Sequence, residues 1–242
     1  MEKLITYVTV CLNSEKYIRQ CLESIISQKT SEIEYIVLDG GSRDNTVDII
    51  KEYKNSIDFF RSQSDKGVYF AMNDSIKHAK GNYICFINSD DWLEEFTVKK
   101  IIENYENFKK FDVFYGDQNI FDENKKLYKS KANHKLLDYF MSIPHQSAYV
   151  KKELYEIISY DEKYKISADY DLFLKLKKFN KIFKKTNFTF SNFRINGISS
   201  DKKISSREFL TIQKKYNLSI IAYINYILRY RNFDCLKTND DN

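Results

Sequence analysis

Hydrophobic positions in this chain fall into short unbroken runs, separated by stretches where they recur every three or four residues. Leu4 to Val10 is a run rich in β-branched residues and reads as a buried strand. After it, Tyr17, Ile18, Cys21, Leu22, Ile25 and Ile26 recur at helical spacing, with Asn13 or Ser14 placed to cap them. Ile33 to Leu38 reads as a second strand, cut short by Asp39-Gly40-Gly41-Ser42, and Asp44 is placed to cap a helix that shows Val47, Ile50 and Tyr53 on one face. Ile57 to Phe60 reads as a third strand. A polar loop then leads to Gly67 and a helix over Val68 to Ala79, which Gly81 is expected to close in the left-handed conformation. Tyr83 to Ile87 reads as a fourth strand ending in Asn88-Ser89-Asp90-Asp91. A helix follows over Glu94 to Phe108, and a fifth strand over Val113 to Tyr115.

This alternation predicts an α/β domain whose sheet is mostly parallel and flanked by helices. Ligands of such sheets bind beyond the C-terminal ends of the strands. That rule gathers Asn13, the Asp39–Ser42 turn and the Asn88–Asp91 turn at one edge, although they are far apart in sequence. After Gly116 the pattern is less regular. It suggests strands near Gln118 to Phe121 and Gln146 to Val150, helices near Lys135 to Met141 and Ala168 to Phe179, and a helical, aromatic stretch over the last ~30 residues. No linker separates two domains.

Composition narrows the classes. The chain has 242 residues, of which 43% are hydrophobic, so it can bury a substantial core. It has 6 Gly and 1 Pro, where average usage gives roughly 17 and 12, which excludes collagen-like and Pro-rich disordered readings. Four cysteines without C-x-x-C spacing suggest reduced thiols and a cytoplasmic setting, and the three histidines lack zinc-site spacing. The start lacks the features of a signal peptide, and no run reaches the ~18 apolar residues of a membrane span. The net charge of +5 is uneven: Leu172 to Phe233 carries +12, leaving −7 elsewhere. This points to an acidic half that holds a site and a basic half that faces an anionic partner. Nothing suggests nucleic-acid binding.

Asp90 and Asp91 are adjacent carboxylates at a strand's end. They repel each other unless a cation or hydrogen bonds compensate, and Mg²⁺ or Mn²⁺ with phosphate oxygens would do so. The competing reading is a helix cap, which would use only one of them. Gly40-Gly41 lets the backbone approach a ligand closely, or simply makes a strand-to-helix turn. The dinucleotide fingerprint G-x-G-x-x-G and the phosphate loop G-x-x-x-x-G-K-[ST] are both absent.

Taken together, TVCLNSEKYIRQCLESIISQ, YIVLDGGSRDNTVDII, SDKGVYFAMNDSIKHAKGNYICFINSDD, VFYGD, PHQSAYVKKELY and ISADYDLFLKL resemble glycosyltransferase family 2. They occur in the family's order over about residues 10 to 175. The resemblance implies the GT-A fold in one domain over 1–200. Residues 1–116 would bind a nucleotide-sugar, 117–200 would hold the acceptor side and the base, and 201–242 would be a helical basic-aromatic extension. It implies inverting transfer of a sugar, with a UDP-sugar as donor and Mn²⁺ or Mg²⁺ as the ion. Asp39, with Asn13 and Gly40 beside it, would face the nucleotide, Asp90 the ribose or metal, and Asp91 the metal. Asp169 falls at the catalytic base, with Asp171 as its competitor. His145 would donate to a phosphate oxygen or the acceptor, and Lys66 would contact a phosphate. Two departures stand out: many relatives carry a second acid where this chain has Gly40, and a Glu where it has Ala168.

The C-terminal stretch from Ile220 to Tyr230 presents an apolar-aromatic face beside Arg229 and Arg231. It suits an anionic membrane surface, core packing or a homodimer. The resemblance implies a glycan or polyprenyl-diphosphate-linked acceptor, in surface-polysaccharide synthesis of the O-antigen or capsule type, at the inner face of the cytoplasmic membrane. The rival readings are a non-catalytic nucleotide-sugar or glycan-binding module and a nucleotidyltransferase. TVCLNSEKY lacks the Gly- and Arg-rich loop that a nucleotidyltransferase would need.

Overall fold

The computed structural model describes residues 2–195 and 201–218. Cys235 and the Ile220–Arg231 stretch lie outside these residues. Strands β1 (Ile5–Cys11), β2 (Ile33–Asp39), β3 (Phe59–Ser62) and β4 (Tyr83–Phe86) pair in parallel in the spatial order β3-β2-β1-β4. Helices α1 (Ile18–Ile26), α2 (Thr46–Glu52) and α3 (Val68–His78) link them in turn. Strands β1, β2 and β4 are buried at every residue, which is why they read as apolar runs, whereas the edge strand β3 is only half-buried.

Beyond β4 the sheet is mixed. Strand β8 (Ala148–Lys151) runs antiparallel to both β4 and β6 (Val113–Asp122), and β6 runs parallel to β9 (Phe183–Arg194). Strand β5 (Trp92–Leu93) pairs with β9, and β7 (Lys125–Ser130) with β6, both antiparallel. Most of the paired length is parallel, as the alternation predicts. The two strand signals at Val113–Tyr115 and Gln118–Phe121 turn out to be one strand that runs through Gly116. Strands β7 and β9 have no counterpart in the hydrophobic pattern. Strand β7 is an exposed edge of KKLYKS, and β9 mixes lysines with aromatics.

Helices cover both faces. Helix α1 and helix α4 (Thr97–Phe108) pack with Ile50 of α2 against one side of the sheet, through Ile18, Leu22, Ile25, Val98 and Ile101. Helix α3, the short α5 (Lys152–Tyr155), α6 (Ala168–Lys178) and α7 (Lys202–Lys215) pack on the other, through Tyr69, Met72, Leu154, Phe173, Phe209 and Ile212. The helix expected over Lys135 to Met141 is a 3-10 turn at His134–Leu136, and another 3-10 turn at His145–Ser147 precedes β8. Cys11, Cys21 and Cys85 are free and buried. Among the described residues, no helix is long and apolar enough to cross a membrane.

Two capping expectations fail. Neither Asn13 nor Ser14 caps α1 with its side chain; Tyr17 occupies that position, and Asn13 instead adopts φ 50°. Gly81 does not terminate α3 in a left-handed conformation, because Ala79 ends the helix in extended geometry and Gly81 has no positive φ. Its glycine identity reflects close approach: a Cβ there would lie 2.5 Å from the Thr6 amide nitrogen and 2.6 Å from the Ile5 carbonyl carbon. The Gly81 amide donates to Thr6 Oγ1, whose hydroxyl donates to the buried Glu34. Gly81→Ala should therefore overpack the β1–β4 junction and destabilise the fold by about 1–3 kcal/mol. Urea unfolding checks this, and an unchanged midpoint would refute it.

Candidate active site

The C-terminal ends of β1, β2 and β4 bring three turns together. Asp39 ends β2 and is 2% exposed. Its carboxylate accepts from the Gly41 and Ser42 amides (3.0 Å each), from Ser62 Oγ (2.6 Å) and from Ser42 Oγ (2.5 Å). These donors fix the carboxylate, so Asp39 organises the turn at the end of β2. Gly41, at φ 87°, adopts the left-handed geometry, and Gly40 does not. Gly40 is instead a place of close packing, since a Cβ there would lie 3.0 Å from Asp65 Oδ2. A second acid at position 40 would press one carboxylate onto another, which gives the departure from D-D-G-S a physical reason. The other Asp65 oxygen accepts from the Gly67 amide at 2.8 Å.

Asn13 is exposed at the end of β1 and is tied to the same turn. Its amide donates to Ser42 Oγ (2.8 Å), and its Oδ1 accepts from the Arg43 amide (2.9 Å). Ser14 Oγ meets Ser89 Oγ at 2.8 Å, which joins the β1 and β4 loops. Lys66 is exposed at the rim, with its ammonium 5.7 Å from the centre of the Phe70 ring.

The acidic pair does not cap a helix. Helix α4 starts only at Thr97, after the β5 pairing, with Phe96 at its N-cap position. Asp91 is 1% exposed, and its two oxygens accept from the Arg194 amide (3.0 Å) and from Gln146 Nε2 (2.7 Å). The Arg194 guanidinium turns to the carbonyls of Asp90 and Glu123 and to Gln20. Among the described residues, neither Asp90 nor Asp91 forms an ion pair. Burial pushes both carboxyls up, Asp91 well above the usual range, and the charge of Asp90 raises Asp91 further. Two desolvated carboxylates that no direct ion pair relieves, with Arg194 acting on them only through space, suit a hard divalent cation. No group of three or more acidic, His or Cys side chains forms a cage among the described residues. That fits an ion held by one or two carboxylates and completed by substrate phosphates and water.

Asp169 lies in the first turn of α6. One oxygen accepts from the Tyr170 amide (2.9 Å) and the other from His145 Nδ1 (3.1 Å). His145 and Gln146 are consecutive, so one 3-10 turn grips Asp169 with one residue and Asp91 with the next. From α7, Glu208 accepts from the amides of Lys165, Ile166 and Ser167 at 2.6–3.0 Å, which fixes the approach to α6. Asp171, the competing base, is fully buried on another face against Lys175, Lys215 and Tyr216, so it cannot reach the crevice. Gln146, Arg194, Glu208 and Asp65 were not singled out in the sequence. Gln146, as the neighbour of His145, and Asp65, as the neighbour of Lys66, carried a signal that could have found them.

The raised carboxyls predict a stability effect. A folded-state value above the unfolded one means that the folded protein holds these protons more tightly. The ionised pair therefore costs stability at neutral pH, and the cost fades as pH falls toward the ordinary carboxylate range. Asp90→Asn should raise the unfolding midpoint of the ligand-free protein at pH 7.5, by about 2–4 °C for each kcal/mol relieved. Its advantage over the wild type should shrink at pH 5. Thermal unfolding at both pH values checks this; an equal or lower midpoint at pH 7.5 contradicts it.

Comparison with known proteins agrees with this geometry. The profile described as "Glycosyl transferase family 2" matches residues 6–166. The glycosyltransferase GlyA of Streptococcus pneumoniae is 26% identical over 223 residues, which cover 90% of this chain and 30% of that protein. The chain thus spans under a third of that relative's length. Among solved structures, Staphylococcus aureus TarS in complex with UDP-GlcNAc superposes with a TM-score of 0.69 at 18% identity, over 86% of this chain and 64% of that one. Glucosyl-3-phosphoglycerate synthase from Mycobacterium tuberculosis, in complex with Mn²⁺, UDP and glucosyl-3-phosphoglycerate, gives 0.61 at 17% identity, over 90% and 81%. These likenesses confirm the GT-A fold. With the family profile covering most of the chain, the chain belongs to glycosyl transferase family 2.

Proposed function

We propose that this chain transfers a sugar, with inversion, from a nucleotide-sugar to an acceptor hydroxyl. The observation that carries the reading is the His145-Gln146 turn, which ties Asp169 at the start of α6 to Asp91 beyond the end of β4. A protein that only bound nucleotide-sugar would have no use for that third carboxylate. The crevice between Asn13, Gly40-Gly41 and Asp65 receives the nucleoside, and Lys66 at its rim reaches the phosphates. We assign UDP as the nucleotide, in line with the UDP complexes of the structural neighbours.

The ion belongs on the Asp90–Asp91 pair. Bound there, Mn²⁺ or Mg²⁺ would neutralise charge on the departing diphosphate as a Lewis acid. Gln146 and the Arg194 amide orient the Asp91 carboxylate. An acceptor hydroxyl is a weak nucleophile at neutral pH, and the Asp169–His145 pair removes its proton as it attacks, a contribution of ~10²–10⁴-fold. The acceptor is a glycan, carried on a polyprenyl diphosphate at the inner face of the cytoplasmic membrane. The basic C-terminal third and the family's work on surface polysaccharide support that assignment.

Asp169→Asn should lower nucleotide release from the hydrolysed donor by about 10²-fold or more while leaving UDP affinity in Mn²⁺ nearly unchanged. Chelating the divalent ion should abolish both turnover and tight UDP binding. Coupled release assays and titration calorimetry read the two quantities. Full turnover by the variant, or in chelator, would remove Asp169 or the ion from the mechanism.

A further inference from the structure

Position 40 is glycine for a reason that lies outside its own turn. Gly40 has no positive φ, so the backbone there would admit a side chain. What excludes one is the carboxylate of Asp65. A Cβ on residue 40 would lie 3.0 Å from its Oδ2, 3.4 Å from its Cγ and 3.5 Å from its Oδ1. All three nearest atoms belong to that one group. The loop after β3 thus puts a carboxylate into the space that a side chain from the end of β2 would otherwise fill.

The two carboxylates beside Gly40 differ in how far they are committed. Both oxygens of Asp39 accept bonds within the β2 turn and from Ser62. Asp65 commits one oxygen: Oδ1 accepts from the Gly67 amide at 2.8 Å. Its Oδ2 takes no hydrogen bond and no ion pair among the described residues. Asp65 is half-buried rather than sealed in, so that oxygen is open to a ligand. An ionised carboxylate accepts hydrogen bonds and cannot donate. A nucleobase that meets it edge-on must bring an N–H. Uracil offers N3–H, and guanine offers N1–H beside its amino group. Cytosine at N3 and adenine at N1 present lone pairs, which a carboxylate repels. Uracil and cytosine have nearly the same shape, so a contact of this kind separates them where packing cannot.

Resting on the glycosyl-transfer reading, we infer that Asp65 selects the nucleobase of the donor: Oδ2 accepts the ring N–H and rejects bases that carry none. Gly40 is glycine to make room for it. The second acid that many relatives carry at position 40 is supplied here from another loop. The Gly67 amide holds the other oxygen, so the acceptor is aimed before the nucleotide arrives.

Titration calorimetry in Mn²⁺ with UDP, CDP, GDP and ADP tests this, with pyrophosphate as the base-free control. The proteins are the wild type, Asp65→Asn, Gly40→Asp and the double variant Gly40→Asp/Asp65→Ser, each checked for folding by thermal unfolding. The wild type should bind UDP about 10-fold or more tighter than CDP. Asn keeps an oxygen for the Gly67 amide and presents an NH₂ group in place of Oδ2. Asp65→Asn should therefore bring UDP and CDP within about threefold of each other, with pyrophosphate affinity unmoved. Gly40→Asp should weaken UDP, because it presses two carboxylates together. The double variant should recover the preference for UDP, because a single carboxylate again occupies the space. An unchanged UDP-to-CDP ratio in Asp65→Asn overturns the inference, as does a wild type that binds both alike; the base is then read elsewhere and the transferase reading stands. Loss of pyrophosphate affinity in Asp65→Asn also overturns it, since the residue would then serve the phosphates or the fold. So does a folded double variant that binds pyrophosphate and fails to separate UDP from CDP. A wild type that favours GDP over UDP, with CDP and ADP weak, supports the role of Asp65 and changes only the base assigned. If the wild type binds none of the nucleotides, the nucleotide-sugar reading fails and the inference fails with it.

Discussion

Much of this site depends on one buried carboxylate. Asp91 has lost its water and sits beside a second charge, an arrangement that burial and like-charge repulsion both oppose. It is held by two donors from distant parts of the chain, the Arg194 amide at the end of β9 and the Gln146 amide group in the turn before β8. The Gln146 bond draws the 3-10 turn against the acidic pair. That in turn brings His145 to Asp169, the next link. The separation between the acids that would face the ion and the groups that would take the proton is thus set by two consecutive residues, which is a short and stiff ruler.

The same arrangement stores a cost. A pair of desolvated carboxylates with no ion-pair partner among the described residues lowers the stability of the ligand-free protein, and a cation with a diphosphate would relieve it. The surroundings are built to bear this. The Asp39 turn is closed by four donors, and Glu208 ties three amides ahead of α6. Buried aromatic residues fill both faces of the sheet. Function draws on stability at one spot and the packing around it compensates, a common trade at sites where charge must be held out of water.

The parallel half of the fold was legible because β1, β2 and β4 are buried on both faces and read as apolar runs, while the helices between the strands expose one side and read with their own period. The mixed half was not legible. Strand β9 carries lysines among its aromatics, β7 is a polar edge, and β5 spans two residues, so none leaves a periodic trace. Of the candidate residues, Asp90, Asp91, Asp169 and His145 could be picked out because strand ends and a family pattern mark them. Asp39 was picked out too, but its place in the pattern could not show that its carboxylate also closes its own turn. The choice between Asp169 and Asp171 also needed the structure. The two lie two residues apart on one helix, about 200° around its axis, so packing sends one toward the crevice and the other into a cluster of Lys175, Lys215 and Tyr216.

By itself the sequence determined the order of strands and helices, the edge at which a ligand would bind, and the chemical types that gather there. Local periodicity and turn chemistry act over a few residues, and those are properties of the chain. Only the tertiary structure decided which donor meets which acceptor. The bonds that matter most here join residues 24, 55 and 103 positions apart. No local pattern encodes such partners, because they meet only once the sheet has brought the ends of its strands together.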